Sequence, residues 1–486
     1  MKNNVHFKHL IDTPVFRELQ ETADEMGLET YIVGGFVRDY LLNRGAKQDI
    51  DIVVVGSGIA LAKAIQKKLK ITHQVQVFKT YGTAMLQWGD VTLEFVGARK
   101  ESYTIESRNP AVSEGTLEED QLRRDFTINA LAVSLNKETF GTLLDPFAGL
   151  DDLEKRLLRT PRDPDTTYTD DPLRMLRAIR FATQLNFSIV PESLNAIRKN
   201  AERIKIISKE RIVVELNKIL ETDSPSEGFI LLQQTGLLPY ILPELVALKG
   251  IDEKEGQRHK DNFYHTLEVV DNIAKKTNNL WLRWAALLHD IGKASTKKFH
   301  PTIGWTFHNH ELVGSKMVYQ LFKRLKMPLN EKMKYVQKLV FMSSRPIVIA
   351  DDQVTDAAVR RLIYDAGDYI EDLMTLCEAD ITTKNPNRFA RYHNNFKLVR
   401  KKMKVVEEKD KIRNFQPPVT GAMIMNYFNL PPSKPIGIIK EALKEAILDG
   451  EIPNVYDAAW ERMKIEGKKL GPVSYTHLTL PTMFEV

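Results

Sequence analysis

Cysteine is almost absent from this chain of 486 residues, which contains only Cys377. A single thiol excludes an internal disulfide framework and fits a reducing compartment. No apolar run approaches the roughly 20 residues that a membrane span requires, and the polar start MKNNVHFKHL lacks the apolar core of a signal peptide. We therefore predict a cytoplasmic protein with no membrane partner.

The sequence also lacks internal repeats, low-complexity linkers and a strong charge imbalance. Its 69 Lys and Arg residues and 64 Asp and Glu residues give a net charge of +5. That surplus suits a polyanionic partner but is common among soluble proteins. At this length one hydrophobic core usually gives way to several, so we expect several domains. Nothing in the composition implies an obligate protein partner.

The hydrophobic pattern changes along the chain from strands to helices. Before residue 150, strand-length apolar runs alternate with helical patterns, and the predicted strands are 31–33, 50–55, 74–78, 84–88, 92–96 and 128–135. After about residue 165 the strand signals stop and helical spacing dominates. The pattern predicts an α+β protein with a mixed α/β head over 1–150, a helical neck over 151–250, a helical domain over 251–395 and a helical tail over 396–472.

The last residues, VSYTHLTLPTMFEV, break the charged helical pattern that precedes them. They look like the translated end of a sequencing adapter fused to a truncated reading frame. We predict that 473–486 is a non-native extension, and the alternative is an ordinary tail.

Two carboxylates stand at alternate positions at the start of the run DIDIVVV. Because residues i and i+2 of a strand point to the same side, Asp49 and Asp51 project together. Like charges so placed favour a cation such as Mg²⁺, which prefers oxygen ligands. The turn at Gly34 and Gly35 can approach a phosphate closely, and Glu94 on a later strand adds a third carboxylate. The pattern indicates two-metal phosphoryl or nucleotidyl transfer; the alternative is an exposed strand start beside an ordinary turn.

A second pattern lies in DDPLRML, where Asp171 and Arg174 stand three residues apart at a helix start and therefore share a face. A carboxylate acceptor beside a guanidinium donor matches the pairing edges of cytosine and adenine. Guanine and uracil present the reverse pattern and would leave buried polar groups unpaired. The pair predicts selection of C and A, whereas the alternative is a helix N-cap aspartate with a surface arginine.

Several motifs occur in the order seen in class II tRNA nucleotidyltransferases, a family that includes CCA-adding enzymes and bacterial poly(A) polymerases. They are Gly34-Gly35, Asp49-x-Asp51, RRDFTINALA (123–132), DPFAG (145–149), DDPLRMLRAIRFA (170–182) and ERIVVE (210–215). The chain resembles this family over roughly residues 20–240, which implies a nucleotidyltransferase-type head. It departs from the family at Asp170, where Glu is usual.

The resemblance implies template-independent addition of C, C and A to the 3′ ends of tRNA lacking a complete CCA, from CTP and ATP, with release of pyrophosphate. It implies that Asp49 and Asp51 bind Mg²⁺ and, with Glu94, help to activate the RNA 3′-hydroxyl. The residues that it implies for nucleotide binding are Gly34, Gly35, Arg38, Arg123, Arg124, Asp125, Asp171, Arg174, Arg177 and Arg180.

A long polar segment separates Glu94 from Arg123, and we predict that it is a loop. The resembling CCA-adding enzymes use such a loop to switch from C to A, so its length argues against an enzyme that adds only CC. A poly(A) polymerase or an A-adding enzyme is the nearest alternative. The basic segment Arg400–Lys404 is the predicted tRNA contact, with a solvated charged face as its alternative.

A third pattern is the adjacent pair His289 and Asp290 in LRWAALLHDIGK, which is unusual on a buried helix without a metal. The wider set resembles the HD phosphohydrolase superfamily, which implies a second divalent transition metal and phosphoester hydrolysis assisted by Lys293. The implied ligands are His265, His289, Asp290, His310 and Asp380, with His308 as a further candidate. The alternatives are a metal-free helical scaffold, and a phosphohydrolase whose head only binds RNA.

Overall fold

The computed structural model describes residues 7, 11–45, 49–78, 82–104, 107–351, 355–410, 413 and 415–470. The predicted extension 473–486 lies outside them. The chain divides into two compact units, Met1–Lys249 with Arg324–Met327 and Gly250–Lys323 with Pro328–Val486. Within the described ranges, no helix has both the length and the apolar character needed to cross a bilayer.

The head of the first unit contains a seven-stranded mixed sheet and a separate hairpin. The strands are β1 Glu29–Val33, β2 Asp49–Val55, β3 Gln76–Phe78, β4 Thr83–Trp88, β5 Val91–Gly97, β6 Arg99–Thr104, β7 Ser107–Glu114, β8 Ala132–Ser134 and β9 Leu143–Leu144. The sheet has the order β3-β4-β5-β2-β1-β8-β9. Strand β2 pairs parallel with β5, and the other pairings are antiparallel. This central strand is rich in Ile and Val because it is buried on both faces beyond its acidic start.

The prediction of a polar loop after Glu94 is wrong, because this segment forms the antiparallel hairpin of β6 and β7. Gly115 closes the base of the hairpin, where an added Cβ would lie 2.7 Å from the backbone nitrogen of Lys100. The predicted strand 128–135 is also shorter than expected. It begins as the 3₁₀ turn Thr127–Asn129, so only Ala132–Ser134 joins the sheet. The predicted strands before residue 97 are confirmed.

Helices flank the sheet and build the remainder of the first unit. The helix Leu173–Leu185 is central, because it packs against both Lys209–Leu220 and Pro225–Gln234. Gly228 permits the close approach of Pro225–Gln234 to both other helices, since a Cβ there would lie 2.9 Å from Thr183 Oγ1 and 2.5 Å from Ile219 Cγ2. The other helices of this unit are Pro14–Glu25, Gly35–Leu41, Gly58–Lys68, Leu117–Leu122, Gly149–Glu154, Pro164–Asp170, Pro191–Asn200, Leu238–Ile241 and Pro243–Val246.

The second unit is almost entirely helical. Its helices are Asn262–Ala274, Leu280–Leu288, Lys293–Thr296, His310–Arg324, Glu331–Met342, Arg345–Asp351, Asp356–Ala366, Ile370–Ala379, Pro386–Asp410, Gly421–Phe428, Lys434–Asp449 and Tyr456–Lys469. The predicted dominance of helix after residue 165 is confirmed, with a few short strands that the sequence did not indicate. Two-residue to three-residue strands form the hairpins Glu253–Lys254 with Gln257–Arg258 and Lys298–His300 with Gly304–Thr306, and Leu157–Leu158 pairs with Ser188–Ile189.

The helix Pro386–Asp410 runs unbroken across residues 395 and 396, where the sequence predicts a domain boundary. Pro386 is the reason for the difference, because proline is tolerated in the first turn of a helix and here begins one. Beyond this helix, the last three helices enclose a small core of their own around Ile424, Ile439, Leu443 and Met463. The predicted division of the chain into a helical domain and a tail stays a prediction.

Candidate active site and candidate metal centre

The head brings its three predicted carboxylates to neighbouring positions on two strands. In the parallel register of β2 and β5, Asp51 is the direct partner of Glu94, and Asp49 lies two residues earlier on β2. Partial burial and then the charges of Asp51 and Asp49 raise the pKa of Glu94, although Arg99 opposes this shift. Three oxygen donors with mutual repulsion, and no thiolate or imidazole among them, are a donor set that suits a hard divalent cation.

The glycine turn after β1 lies directly against these carboxylates. Gly34 has φ +74°, a conformation that favours glycine. A Cβ at this position would lie 3.1 Å from Asp51 Oδ2 and 3.4 Å from an Arg124 guanidinium nitrogen, Nη1. The backbone of the turn therefore approaches both an acidic and a basic group of the site, and Gly35 begins the helix that follows.

Asp120, which the sequence reasoning missed, holds the two adjacent arginines. Its side chain is fully buried and accepts hydrogen bonds from Arg123 Nε at 2.9 Å and from Arg124 Nη2 at 3.0 Å. The pKa of Asp120 is lowered because these two guanidinium charges outweigh the opposing effect of burial. Arg123 and Arg124 follow Asp120 by three and four residues at the end of the helix Leu117–Leu122, a spacing that brings side chains together and could have identified Asp120.

Asp125 connects the head to the helix Leu173–Leu185. It accepts hydrogen bonds from Arg177 Nε at 2.7 Å and from Asn129 Nδ2 at 2.9 Å. Asn129 Oδ1 in turn accepts one from Arg38 Nη1 at 2.6 Å. Burial by itself would raise the pKa of Asp125, but Arg177 and Asn129 hold it well below its ordinary value. Asn129 was missed, because nothing in its local sequence marks a partner 91 residues away.

Two of the predicted nucleotide-binding arginines, Arg38 and Arg180, are buried among these residues. Arg38 is 3% exposed and Arg180 is 6% exposed. Arg180 Nε donates to Glu215 at 2.5 Å, and its guanidinium lies 3.8 Å from the centre of the Phe181 ring. The Arg38 guanidinium lies 4.9 Å from the same ring centre. Both side chains therefore support neighbouring residues from within the core.

A cavity of about 530 Å³ opens beside these residues. Arg174 is central to it: Nη2 donates to the Arg123 carbonyl at 2.6 Å, while the buried Nη1 has no hydrogen-bond partner among the described residues. The cavity brings together six of the ten predicted nucleotide-binding residues and leaves out Gly34, Gly35, Arg38 and Arg180. Its lining is Arg123, Arg124, Asp125, Asp171, Leu173, Arg174, Arg177, Arg211, Val214 and Glu215.

The second unit gathers the predicted His and Asp ligands around Asp290. His265, His289 and Asp290 are the three residues of the described chain whose possible ligand atoms all lie within 4.8 Å of one another. Asp380 adjoins them, with its Oδ1 2.7 Å from His265 Nε2 and 3.6 Å from His289 Nε2. His310 Nε2 lies 3.6 Å from Asp290 Oδ1, whereas His308 is exposed.

The orientation of His289 fits a metal ligand. Its Nδ1 lies 2.8 Å from the carbonyl oxygen of Ala286, which favours a proton on that nitrogen. Its Nε2 is then the nitrogen that could bind a cation; among the described residues it has no hydrogen-bond partner, and it lies 3.3 Å from Asp290 Oδ2. Burial alone would lower the pKa of His289, but the carboxylates of Asp290 and Asp380 raise it to about 10. The environment therefore favours a positive charge at this point.

Two lysines border this centre. Lys293 Nζ lies 2.6 Å from Asp290 Oδ2, as expected for a basic group beside the cluster. Lys260, which the sequence reasoning missed, has its Nζ 2.6 Å from His265 Nδ1 and also contacts Thr382 Oγ1. Both ammonium groups lie where a phosphate oxyanion bound at the centre would be stabilised.

Comparison with known proteins decides the family. Residues 30–159 match the family model of the poly A polymerase head domain, 186–248 the probable RNA and SrmB-binding site of polymerase A, and 262–384 the HD domain. The Multifunctional CCA protein of Xylella fastidiosa (strain M23) is 34% identical over 387 residues, or 75% of this chain and 86% of the relative. This chain belongs to the tRNA nucleotidyltransferase family.

Other members of the tRNA nucleotidyltransferase family show the same relationship. The A-adding tRNA nucleotidyltransferase of Deinococcus radiodurans is 32% identical over 356 residues, or 70% of this chain and 78% of the relative. The Bacillus stearothermophilus CCA-adding enzyme in complex with CTP has a TM-score of 0.66 at 21% identity, covering 94% of this chain and 99% of that chain, and so shows the fold. The predicted family and α+β fold with an HD domain are confirmed, and this membership implies use of divalent metal ions.

We expect His289→Ala to remove one transition-metal site from this nucleotidyltransferase. The wild-type protein should bind about one more equivalent of Ni²⁺ or Co²⁺ than the variant, because the substitution removes the imidazole that faces both carboxylates. At a metal concentration near 100 times the dissociation constant, the variant should lack about 2.7 kcal/mol of metal-dependent stabilisation against unfolding. Equilibrium dialysis with elemental analysis and metal-dependent thermal unfolding measure the two effects.

The matched control for this experiment is His308→Ala, because His308 is an exposed histidine two positions before His310. It should bind as much metal as the wild type. Equal binding by the His289→Ala variant would show that the cluster is not a metal centre.

Proposed function

We propose that this enzyme adds C, C and A to the 3′ ends of tRNA lacking a complete CCA, using CTP and ATP and releasing pyrophosphate. The observation that carries the proposal is the pairing of Asp51 with Glu94 beside Asp49 and the Gly34 turn, in the unit that holds the arginine-lined cavity. The relatives named Multifunctional CCA protein support it. The cytoplasm, where tRNA substrates are available under reducing conditions, is the proposed compartment.

In this proposal Asp49 and Asp51 would hold Mg²⁺, which would supply positive charge for the triphosphate and the RNA 3′-hydroxyl. Glu94 accepts the proton of that hydroxyl. The backbone of the Gly34 turn lies against Asp51 and orients the triphosphate there.

Arg123 and Arg124, fixed by Asp120, are the proposed contacts to the phosphates and ribose of the incoming nucleotide. Asp171 and Arg174 are the proposed partners of its base. The buried, unpaired Nη1 of Arg174 supports this role, because a base acceptor would satisfy it. Arg177 and Asp125 keep the helix that carries Arg174 in register with the head.

A second candidate within the same chemistry is addition of A alone. It is favoured by the similarity to the A-adding enzyme of Deinococcus radiodurans. The hairpin Arg99–Glu114 supports complete CCA addition, since an enzyme restricted to CC would be expected to have a shortened segment here.

We expect the wild-type protein to complete tRNA transcripts that end before CCA, with one labelled nucleotide supplied at a time. Addition of CCA supports the proposal, A on transcripts ending in CC alone selects the A-adding enzyme, and long A tails select a poly(A) polymerase. The variant Asp51→Asn should lower incorporation about 10³-fold, because it removes a charged metal ligand worth several kcal/mol in the transition state.

The control Asp90→Asn changes an exposed carboxylate in the turn between β4 and β5 and should leave the rate unchanged. Absence of any incorporation by the folded wild-type protein would overturn the assignment.

Selection of the nucleotide gives a separate prediction. In Asp171→Ala, discrimination of CTP and ATP against UTP and GTP should fall about tenfold to a hundredfold, because the polar group that penalises a mismatched base edge is gone. Competition between nucleotides, read as the ratio of kcat/KM values, measures it. Asp223→Ala, at an exposed carboxylate of the same unit, should keep full discrimination; an unchanged ratio in Asp171→Ala would remove this residue from base recognition.

We also propose phosphoester hydrolysis at the His and Asp cluster, on a 2′,3′-cyclic phosphate or a phosphomonoester at RNA ends. A divalent transition metal held by His265, His289, Asp290 and Asp380, with His310 at the edge, would supply an activated water. Lys260 and Lys293 contribute positive charge for the phosphate oxygens.

Asp290→Ala should abolish such hydrolysis while nucleotide incorporation by the head continues at the wild-type rate. Release of phosphate or opening of the cyclic phosphate, with Mg²⁺, Mn²⁺, Ni²⁺ or Co²⁺ supplied, measures the activity. If the wild-type protein hydrolyses no phosphoester with any of these ions, the cluster is a structural remnant.

A further inference from the structure

The segment from residue 381 to residue 406 contains no acidic residue. Its cationic side chains are Lys384, Arg388, Arg391, Lys397, Arg400, Lys401, Lys402 and Lys404. Arg400, in the predicted tRNA contact Arg400–Lys404, contacts Glu378 at 2.6 Å and Glu371 at 2.5 Å, so part of that positive charge is neutralised within the protein. The basic segment continues into the first turns of the helix Pro386–Asp410, which carry Arg388 and Arg391.

The first two turns of this helix, residues 386–393, extend beyond the core that its middle part buries. Phe396 is 1% exposed, whereas Phe389, seven residues earlier and thus on nearly the same side of the helix, is 48% exposed. The Phe389 and His393 rings are stacked, with centroids 6.0 Å apart and an interplanar angle of 8°. The same side of the helix is thus buried in the core around Phe396 and forms an exposed aromatic surface around Phe389.

We propose that Arg388, Phe389, Tyr392 and His393, here called the stacking face, bind unpaired nucleotides of RNA. At 3.6 residues per turn these four side chains lie on one side of the helix. Aromatic rings next to cations suit a single strand, because bases stack on the rings while phosphates pair with the positive groups. A protein surface of mixed charge or a second copy of this chain is a poorer complement to a segment without carboxylates.

The place of the stacking face in the chain relates it to the candidate metal centre. Pro386 is six positions after Asp380, and six residue steps at full extension span at most about 22 Å. The helix that carries the stacking face therefore begins no more than about 22 Å from Asp380 of the candidate metal centre, within the same unit. The inference rests on the proposed action on RNA, and it assigns to the second unit a contact with the unpaired end of the substrate.

The test is binding of a fluorescein-labelled, unstructured RNA of about 10 nucleotides to the full-length protein, followed by fluorescence anisotropy. The double substitution Phe389→Ala, His393→Ala should weaken binding at least about tenfold, because both rings of the stack are removed. Arg388→Gln should reduce the salt dependence of log K by about 0.7, because it removes the charge that pairs with one phosphate. Photocrosslinking of the same RNA containing 4-thiouridine should label the peptide that carries Phe389 and Tyr392.

The matched control is Leu398→Ala, since Leu398 is 47% exposed on the opposite side of the same helix. Its affinity for RNA should stay at the wild-type value. Four outcomes would each overturn the inference. They are unchanged RNA affinity in the double variant, an equal decrease in affinity in the control, crosslinks confined to other peptides, and self-association of the wild-type protein through this face. Nucleotide incorporation measured on the same preparations separates this outcome from failure of the proposed function, because incorporation depends on the head and should be retained by the double variant.

Discussion

The buried contact between Asp125 and Arg177 is the interaction on which the first unit depends most. A carboxylate that is only 8% exposed is stable as an anion only if its lone pairs are satisfied, and Arg177 and Asn129 satisfy them. Loss of Arg177 would leave the buried Asp125 charge without its cationic partner; for a fully buried pair this costs about 3–5 kcal/mol, and the partial exposure of Arg177 reduces it. Through this contact the head sets the rotation of the helix Leu173–Leu185, and with it the position of Arg174 in the cavity. Arg38 joins the same network through Asn129.

The two centres of the protein differ in the chemistry of their donors. The head offers carboxylates alone, which suit a hard ion that keeps sites for phosphate. The second unit mixes imidazoles with carboxylates in a buried cluster, which suits transition metals. In both centres the main chain does the fine positioning, by the close approach of Gly34 to Asp51 in one and by carbonyls of Ala286 and Phe307 that receive His289 Nδ1 and His310 Nδ1 in the other.

The sequence was most informative where one residue's role follows from local spacing. Alternation in DIDIVVV placed Asp49 and Asp51 on one side of a strand, and the strands before residue 97 followed from their apolar runs. It was least informative where partners are far apart in the chain. The side of the helix Leu173–Leu185 that carries Arg180 could not be recognised as inward, because its partner Glu215 belongs to another helix and the neighbouring Phe181 ring packs against the guanidinium. The hairpin after β5 has the sequence pattern of a polar loop, because its strands carry few apolar residues.

The register of β2 and β5 has a consequence for how such a protein can diverge. Asp49 pairs with Thr92 at the start of the two strands, and this register makes Asp51 the direct partner of Glu94 two residues later. Since side chains alternate, gain or loss of a single residue within either strand would turn the acidic positions towards the core and the apolar ones towards the site. Fold and chemistry would then fail together. Point substitutions along these strands change stability or activity by degrees. A change in strand length disrupts both at once, so we expect insertions and deletions to be confined to the connections around the strands.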